Sequence, residues 1–404
     1  MNKLLSRLPH VKNKNVALFY IFSIIHACYF AEGNWIFLYL FYFNYATIGL
    51  LDSIAFTIWV LLEIPAGSIA DIIGRKRVIR FSFLAVALGI LMQALASSPV
   101  MLFLGNVIFY IGLAFYSGSM EALTYDTLIE AKVEKDFDKI VATSKSLQAI
   151  AYVIAVLIGG YASSINIRLP FLIWGIVHAF AFIISFMLKE PKVDSIKVTL
   201  KSYLAHNLKG IKELFKPQLK PYLFFIFIVL GVVFWYDWGF IKPAVVISFG
   251  FDSISMGYIF ALEGLLIAIL LPLLPKIRKL INDYTGLVIL NFLVVLSIFL
   301  FGSDIGYWGV LPIVTIALAG NFAYGWISII INKHVSSNRR ATSLSVVSTL
   351  LKIPYVLTAY LSGRIIEEGY MTQFLYAIAL LLGLISLINL LKNLRLLNKK
   401  AMLN

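Results

Sequence analysis

The chain holds one short polar stretch between two long apolar runs: Gly67-Ser68-Ile69-Ala70-Asp71-Ile72-Ile73-Gly74-Arg75-Lys76-Arg77. This placement predicts a tight turn at a membrane face, because the apolar runs on both sides are long enough to cross a bilayer. Gly67 and Gly74 allow the close backbone approach and the positive φ angles that a tight turn needs. Asp71 precedes Arg75 by four residues, a spacing at which opposite charges meet on a helix.

The composition excludes an ordinary soluble protein. Of the 404 residues, 61% are hydrophobic and 13% are charged, whereas about a quarter of the residues of a soluble domain are charged. The mean hydropathy is +0.91. The single cysteine, Cys28, lies in the first apolar run, so no disulfide can form within the chain. That run is too long for the core of a signal peptide and predicts a retained first helix.

Apolar runs of about 20 residues, the length of a bilayer-spanning helix, recur along the whole chain. They predict an all-α membrane protein with twelve spans, at approximately 16–40, 46–66, 78–97, 101–128, 140–163, 168–188, 219–241, 255–275, 285–302, 307–331, 342–363 and 371–391. The polar connection 189–217 divides them into an N-terminal six-helix bundle, 1–188, and a C-terminal one, 218–404. Its apolar residues recur at helical spacing among lysines, which is typical of an amphipathic helix on the inner leaflet; a flexible tether is the alternative.

The cations are distributed unevenly between the two sides of the predicted membrane. Of the 34 lysines and arginines, 29 fall on one side, while Arg168, Lys242 and Arg364 fall on the other and Lys145 and Lys352 lie near or inside spans. This bias predicts a plasma or inner membrane protein with both termini in the cytoplasm. The net charge of +14 then reflects topology and an affinity for anionic lipid. Nucleic-acid binding would require a soluble basic face, which the sequence does not offer.

The polar turn resembles the loop between the second and third helices of the major facilitator superfamily, whose pattern is Gly-x-x-x-Asp-x-x-Gly-Arg-Lys/Arg. The matching residues are Gly67, Asp71, Gly74, Arg75 and Lys76, while Ile72 stands where the family usually has a cation. The resemblance implies two pseudo-symmetric six-helix bundles around a midplane cavity, which rock against each other to give alternating access.

The resemblance extends to Asp126 and to residues 340–345, which begin span eleven with Arg-Ala-Thr-Ser-Leu-Ser. In the family, an acid near Asp126 pairs with the arginine of the turn. This implies a gating charge cluster of Asp71, Arg75 and Asp126; an acid exposed at a helix end is the alternative for Asp126. The drug–proton antiporters of the family usually carry an arginine in span four, where this chain has Ile108.

Ionisable residues inside spans cost about 2.5–3.5 kcal/mol each on insertion scales, so they mark candidate functional sites. We expect substrate or proton binding at Glu121, Glu32, Asp237 and Glu263. Glu121 shares a helical face with Ser117 and faces either the central cavity or a polar group of a neighbouring helix. Glu32 and Asp237 lie among aromatic residues in equivalent spans, which suits a lipophilic cation through charge pairing and cation–π contact. An ordinary interfacial aromatic belt is the alternative.

These residues predict a secondary active transporter, with proton-coupled export of lipophilic or cationic small molecules, as in the multidrug-efflux-type members that the chain resembles. The expected substrate-lining residues are Trp235, Tyr236, Tyr116, Gln148, Asn321 and Tyr324. A proton symporter importing a small polar nutrient and a non-transporting receptor of this fold are the alternatives. No nucleotide-binding or metal-binding motif is present, so we expect neither an enzyme nor a cofactor. The expected partners are the bilayer, the substrate and protons, with the chain acting as a monomer.

Overall fold

The computed structural model describes residues 8–192, 211–335 and 340–401. These residues form helices and connections, with no β-strand among them. The main helices are α1 (Lys14–His26), α2 (Trp35–Tyr42), α3 (Tyr45–Ile73), α4 (Arg75–Ala94), α5 (Pro99–Tyr116), α6 (Ser119–Glu130), α7 (Phe137–Ile165), α8 (Leu169–Ser185), α9 (Leu230–Asp237), α10 (Ile241–Ser248), α11 (Ser253–Leu270), α12 (Leu274–Leu280), α13 (Asp283–Phe301), α14 (Val310–His334), α15 (Arg340–Glu367) and α16 (Met371–Ala401).

The prediction of an all-α membrane protein is confirmed. Within the described parts of the chain, ten helical segments are long and apolar enough to cross a membrane, and the shorter apolar helices α1 and α8 lie where spans one and six were predicted. The amphipathic helix expected in the linker falls mostly on 193–210, outside the described residues.

The chain packs as two compact units. The first unit contains residues 8–43, 51–192 and 252–265, and the second contains 44–50, 211–251, 266–335 and 340–401. The first residues of span two therefore belong to the second unit, and the first half of span eight belongs to the first unit. The bundle boundaries at 188 and 218 stay a prediction.

Polar residues begin several of the helices. The side-chain oxygens of Asn13, Ser98 and Asn282 accept hydrogen bonds from backbone N–H groups in the first turns of α1, α5 and α13. Asp252 does the same before α11, where hydrogen bonds from the hydroxyl and the backbone N–H of Ser255 lower the pKa of the Asp252 carboxyl group. Such caps satisfy N–H groups that have no partner within the helix.

The polar turn is tighter than its sequence suggested. Helix α3 continues through Ile73 and α4 begins at Arg75, so that Gly74 alone, at φ +95°, separates the two helices. The positive φ expected at Gly74 is confirmed. The same expectation for Gly67 was wrong, because Gly67 lies inside α3. Across this turn, the guanidinium group of Arg75 still lies 3.4 Å from Oδ1 of Asp71, so the two charges meet as expected.

Small residues of α7 allow very close backbone contacts inside the first unit. A Cβ atom added at Gly159 would lie 1.7 Å from the carbonyl oxygen of Phe30, and one at Gly160 would lie 3.1 Å from the Cα atom of Gly257. Small residues at helix crossings are a common means of close packing in membranes. Gly159 therefore supports the segment of span one that contains Phe30.

We expect Gly159→Ala to destabilise the protein by about 1–3 kcal/mol, because the added methyl group overlaps backbone that cannot rotate away. Gly383→Ala is the matched control, since a Cβ atom at this helical glycine would have 3.6 Å to its nearest neighbour. Thermal unfolding in detergent measures both variants. Equal unfolding temperatures for the two would contradict the close contact at Gly159.

Candidate functional site

Spans one and four are each broken near the middle. In span one, α1 ends at His26 and α2 begins at Trp35. In span four, α5 ends at Tyr116 and α6 begins at Ser119, with Gly118 in the left-handed region at φ 72°. Backbone that leaves a helix inside a membrane is tolerated only where it is buried in protein or lines a water-filled cavity. Such breaks are typical of binding sites in transporters.

The two breaks meet at a pair of stacked rings. His26 is the last residue of α1 and Tyr116 is the last residue of α5, and their ring centroids are 4.0 Å apart with planes inclined by 20°. The Tyr29 hydroxyl group lies 3.5 Å from Nε2 of His26. The ends of both half-helices are therefore joined through aromatic side chains.

This pair belongs to a larger aromatic cluster of the first unit. In this cluster, the centroids of rings in contact are between 4.0 and 5.9 Å apart. The members of the aromatic cluster are His26, Tyr29, Phe56, Trp59, Phe109, Tyr110, Tyr116 and Trp174. Aromatic pairs at these distances contribute about 0.5–1.5 kcal/mol each beyond their burial.

Carboxylates lie at both breaks. Glu32 is half-buried within the break of span one, and Glu121 is exposed in the first turn of α6, directly after the break of span four. The Ser117 hydroxyl group, also exposed, donates to Oε1 of Glu63 at 3.4 Å. Glu263, by contrast, is 3% exposed in the first unit. Sequence reasoning thus placed Glu32 and Glu121 in separate spans, and the structure places both beside helix breaks.

Asp52 is an intramembrane acid that the sequence reasoning missed. It is 4% exposed in α3, and its carboxylate and that of Glu32 both interact electrostatically with Tyr110. Asp52 also interacts with Tyr39, whose hydroxyl group donates to Gln93. The cost of an ionisable residue in a span would have identified Asp52 as a candidate.

Span seven, in the second unit, is also interrupted. A π-helical turn at Phe225–Val229 leads into α9, which ends at Asp237, and α10 begins at Ile241. Nζ of Lys242 lies 2.8 Å from Oδ1 of Asp237, and the lysine side chain is 6% exposed. The Lys242 side chain is buried at the end of α9, and its position on the outer side of the membrane stays a prediction. Asp237 is therefore paired with a buried cation from the following helix.

The predicted gating residues are in contact. The guanidinium group of Arg75 binds the carboxylate of Asp126, donates to the carbonyl oxygen of Ala122 at 2.9 Å, and lies 3.4 Å from Oδ1 of Asp71. Each of the three charged side chains is about one-fifth exposed. The cluster joins α3, α4 and α6 inside the first unit.

A family model described as Major Facilitator Superfamily matches residues 15–359. The chain belongs to the major facilitator superfamily. It is therefore a multi-pass membrane transporter and not an enzyme, as predicted. It is 24% identical over 353 residues to an uncharacterized MFS-type transporter, YxaM, of Bacillus subtilis (strain 168), with 86% of this chain and 87% of that protein covered.

Other relatives match less of the chain or match the fold alone. The class H tetracycline resistance protein of Pasteurella multocida is 24% identical over 139 residues, 34% of either chain. The nucleoside transporter NupG has a TM-score of 0.73 at 14% identity, covering 94% of this chain and 98% of its own. A POT family transporter in complex with 5-aminolevulinic acid has a TM-score of 0.68 at 13% identity, covering 94% and 96%.

The residues expected to line the substrate path of this superfamily member differ in accessibility. Tyr116 is half-buried at the break, and Tyr324 is 46% exposed. Trp235 and Tyr236 are buried, with Tyr236 stacked on Phe301. The amide of Gln148 donates to Ser144, and that of Asn321 donates to the carbonyl oxygen of Ala317 in its own helix. Their role as lining residues stays a prediction.

The start of the linker is hydrogen-bonded to the gating cluster, a contact that the sequence did not predict. The two carboxylate oxygens of Glu190 accept hydrogen bonds from the backbone N–H groups of Arg75, at 2.8 Å, and Lys76, at 3.0 Å. The Asn15 side chain pairs with both the N–H and the C=O of Lys189 and also donates to Thr127. A glycine at position 74 has no side chain with which to cap α4, so Glu190 serves as its cap.

Replacing the cap should loosen the start of α4. Glu190→Gln removes the negative charge and leaves a single acceptor for two N–H groups, so we expect amide hydrogen exchange at Arg75 and Lys76 to be about two- to tenfold faster. Glu134→Gln, at an exposed acid of the same unit, should leave that exchange unchanged. Exchange rates at Arg75 and Lys76 that are the same in both variants would exclude the capping role.

The Asp237–Lys242 pair predicts an asymmetric double-mutant cycle. Asp237→Asn should destabilise the protein by about 3–5 kcal/mol, since the more deeply buried lysine keeps its charge without the acid. Lys242→Met should cost less, because Asp237 is 28% exposed. The double variant should recover most of the loss in thermal unfolding. Simple additivity of the two losses would show that the ion pair is energetically unimportant.

Proposed function

We propose that this transporter exports lipophilic cations in exchange for protons, by alternating access. A single observation carries the proposal: two helix breaks meet in the first unit, and each brings a carboxylate, Glu32 or Glu121, to a continuous aromatic cluster. A carboxylate beside aromatic faces attracts an organic cation by charge pairing and by cation–π contact, which contributes about 0.5–2 kcal/mol for each ring.

Proton coupling follows from competition at one carboxylate. A protonated carboxyl group no longer pairs with a cation, so binding of a proton and binding of the substrate exclude each other. Glu121 suits this exchange because it lies in the first turn of α6, directly after the break of span four. Protons entering from outside would release the cation there, and proton loss to the cytoplasm would restore the site. The proposal places the transporter in the plasma or inner membrane, with both termini in the cytoplasm. It also takes the monomer as the functional unit.

The gating cluster supplies the second element of the mechanism. Arg75 binds two carboxylates, from α3 and α6, and the N-terminus of α4 is held by Glu190. These contacts hold α3, α4 and α6 together inside the first unit, and we expect the cluster to open when the access side changes. Breaking a partly buried ion pair costs several kcal/mol unless new partners appear. The cluster therefore opposes that opening until other charges replace its contacts.

The tetracycline resistance protein among the relatives supports an export role, although it matches only 34% of the chain. Import of a small polar nutrient is the alternative, and one observation favours it. The break of span seven holds both an acid and a buried lysine, so Asp237 and Lys242 offer charges of both signs to a polar substrate. A nutrient importer would accumulate its substrate in cells that carry the gene.

We expect Glu121→Gln to abolish proton-dependent extrusion of ethidium from intact cells while the protein still inserts in the membrane, because the amide neither binds a proton nor pairs with a cation. Glu134→Gln is the matched control on the same unit and should extrude at the wild-type rate. The measurement is ethidium fluorescence after energisation, with and without an agent that collapses the proton gradient.

Normal extrusion by Glu121→Gln would remove Glu121 from the mechanism. Wild-type cells that extrude no ethidium and instead accumulate a polar solute would favour the importer.

A further inference from the structure

We propose that the His26–Tyr116 stack is a subsite for a flat aromatic ring of the substrate, and that His26 selects such rings over aliphatic groups of equal charge. This inference rests on the proposed function and specifies the chemical class of its substrate. It assigns a role to a histidine that the transport mechanism has not used.

The position of the stack is the first argument. His26 and Tyr116 end the two half-helices whose breaks carry Glu32 and Glu121, so a cation paired with either acid lies close to these rings. The planes of the two rings are inclined by only 20°, with centroids 4.0 Å apart. Phe83 and Tyr29 pack edge-on against Tyr116 and His26, at centroid distances of 5.5 and 5.9 Å. A flat ring would therefore extend the stack beside them, in an offset arrangement.

Accessibility distinguishes this pair from the aromatic residues behind it. His26, Tyr29 and Tyr116 are half-buried, and the neighbouring Ser117 and Gly118 are exposed. His178, which also lies in the first unit, is 1% exposed and hydrogen-bonds through Nδ1 to the carbonyl oxygen of Trp174. His178 is thus a packing residue, whereas the His26 ring is within reach of a ligand.

Buried polar atoms nearby are the third argument. The side-chain nitrogen of Trp174 and both amide atoms of Asn34 are buried and have no hydrogen-bond partner among the described residues. Asn34 lies in the break of span one, and Trp174 contacts Tyr29 at a centroid distance of 5.5 Å. Buried polar groups are nearly always hydrogen-bonded, so unsatisfied ones mark places where a polar ligand or water binds. A ring bearing amino or carbonyl substituents fits this combination.

The test compares two cations that bind to the purified protein in lipid nanodiscs. Ethidium is the flat aromatic probe, followed by its fluorescence, and tetrabutylammonium is the aliphatic probe, followed by its competition with ethidium. His26→Leu should weaken ethidium binding about tenfold and change tetrabutylammonium binding less than about twofold, in line with the loss of a ring that stacks on a flat ligand. His26→Phe, which keeps a ring, should stay within about threefold of the wild type for ethidium.

The control is His178→Leu, which removes a buried ring and should leave the ratio of the two affinities unchanged. Equal weakening of both probes by His26→Leu, no weakening of either, or a loss in His26→Phe as large as in His26→Leu would each overturn the inference. If Glu121→Gln weakens both probes while His26→Leu does not discriminate between them, the inference fails and the proposed function stands. If the wild type binds neither probe, both fail.

Discussion

The structure depends on hydrogen bonding of the backbone at places where the chain leaves a helix inside the membrane, because no water is available there to bind the N–H and C=O groups. Spans one, four and seven are all interrupted, and hydrocarbon cannot solvate N–H and C=O groups that leave a helix. In span one, turn hydrogen bonds meet this need, such as those that the N–H groups of Phe30 and Glu32 donate to the carbonyl oxygens of Cys28 and Tyr29. The break of span one is held by the close approach of Gly159 to the carbonyl oxygen of Phe30. The break of span four is permitted by Gly118, which adopts a left-handed conformation. The breaks bring polar side chains such as Glu32 and Ser117 into spans that are otherwise apolar.

Charged residues are paired in different ways in the two units. In the first unit, Arg75 binds Asp71 and Asp126, and Glu190 caps α4. In the second unit, Arg278 makes a bidentate contact with Asp283, which also accepts a hydrogen bond from the indole N–H of Trp326 at 2.7 Å. Within the described residues, the second cluster has neither a left-handed glycine turn nor a cap from the linker. The two units therefore hold their charges by different contacts.

The class of fold could be predicted from the sequence, because apolar runs long enough to cross a bilayer rarely occur in water-soluble proteins. The resemblance to the family also led to the contact of Arg75 with Asp126, because the family has an acid near this position that pairs with the arginine of the turn. It did not reveal the helix breaks, because a few polar residues such as Glu32, Gly33 and Asn34 inside a long apolar run do not by themselves show that a helix ends there. Nor did it reveal the Glu190 cap or the burial of Lys242. Those contacts join residues distant in sequence or depend on a backbone bend, and hydrophobic periodicity carries no signal for either.

The central claim is that water reaches the span-four break from alternate sides of the membrane. Its most direct test is labelling of Ser117→Cys, in a Cys28→Ala background, with a membrane-impermeant maleimide applied to either face of oriented vesicles. The account predicts that the reagent reaches this position from both faces, and that reversing the proton gradient shifts labelling from one face to the other. Labelling from neither face, or from one face under every condition, would contradict it.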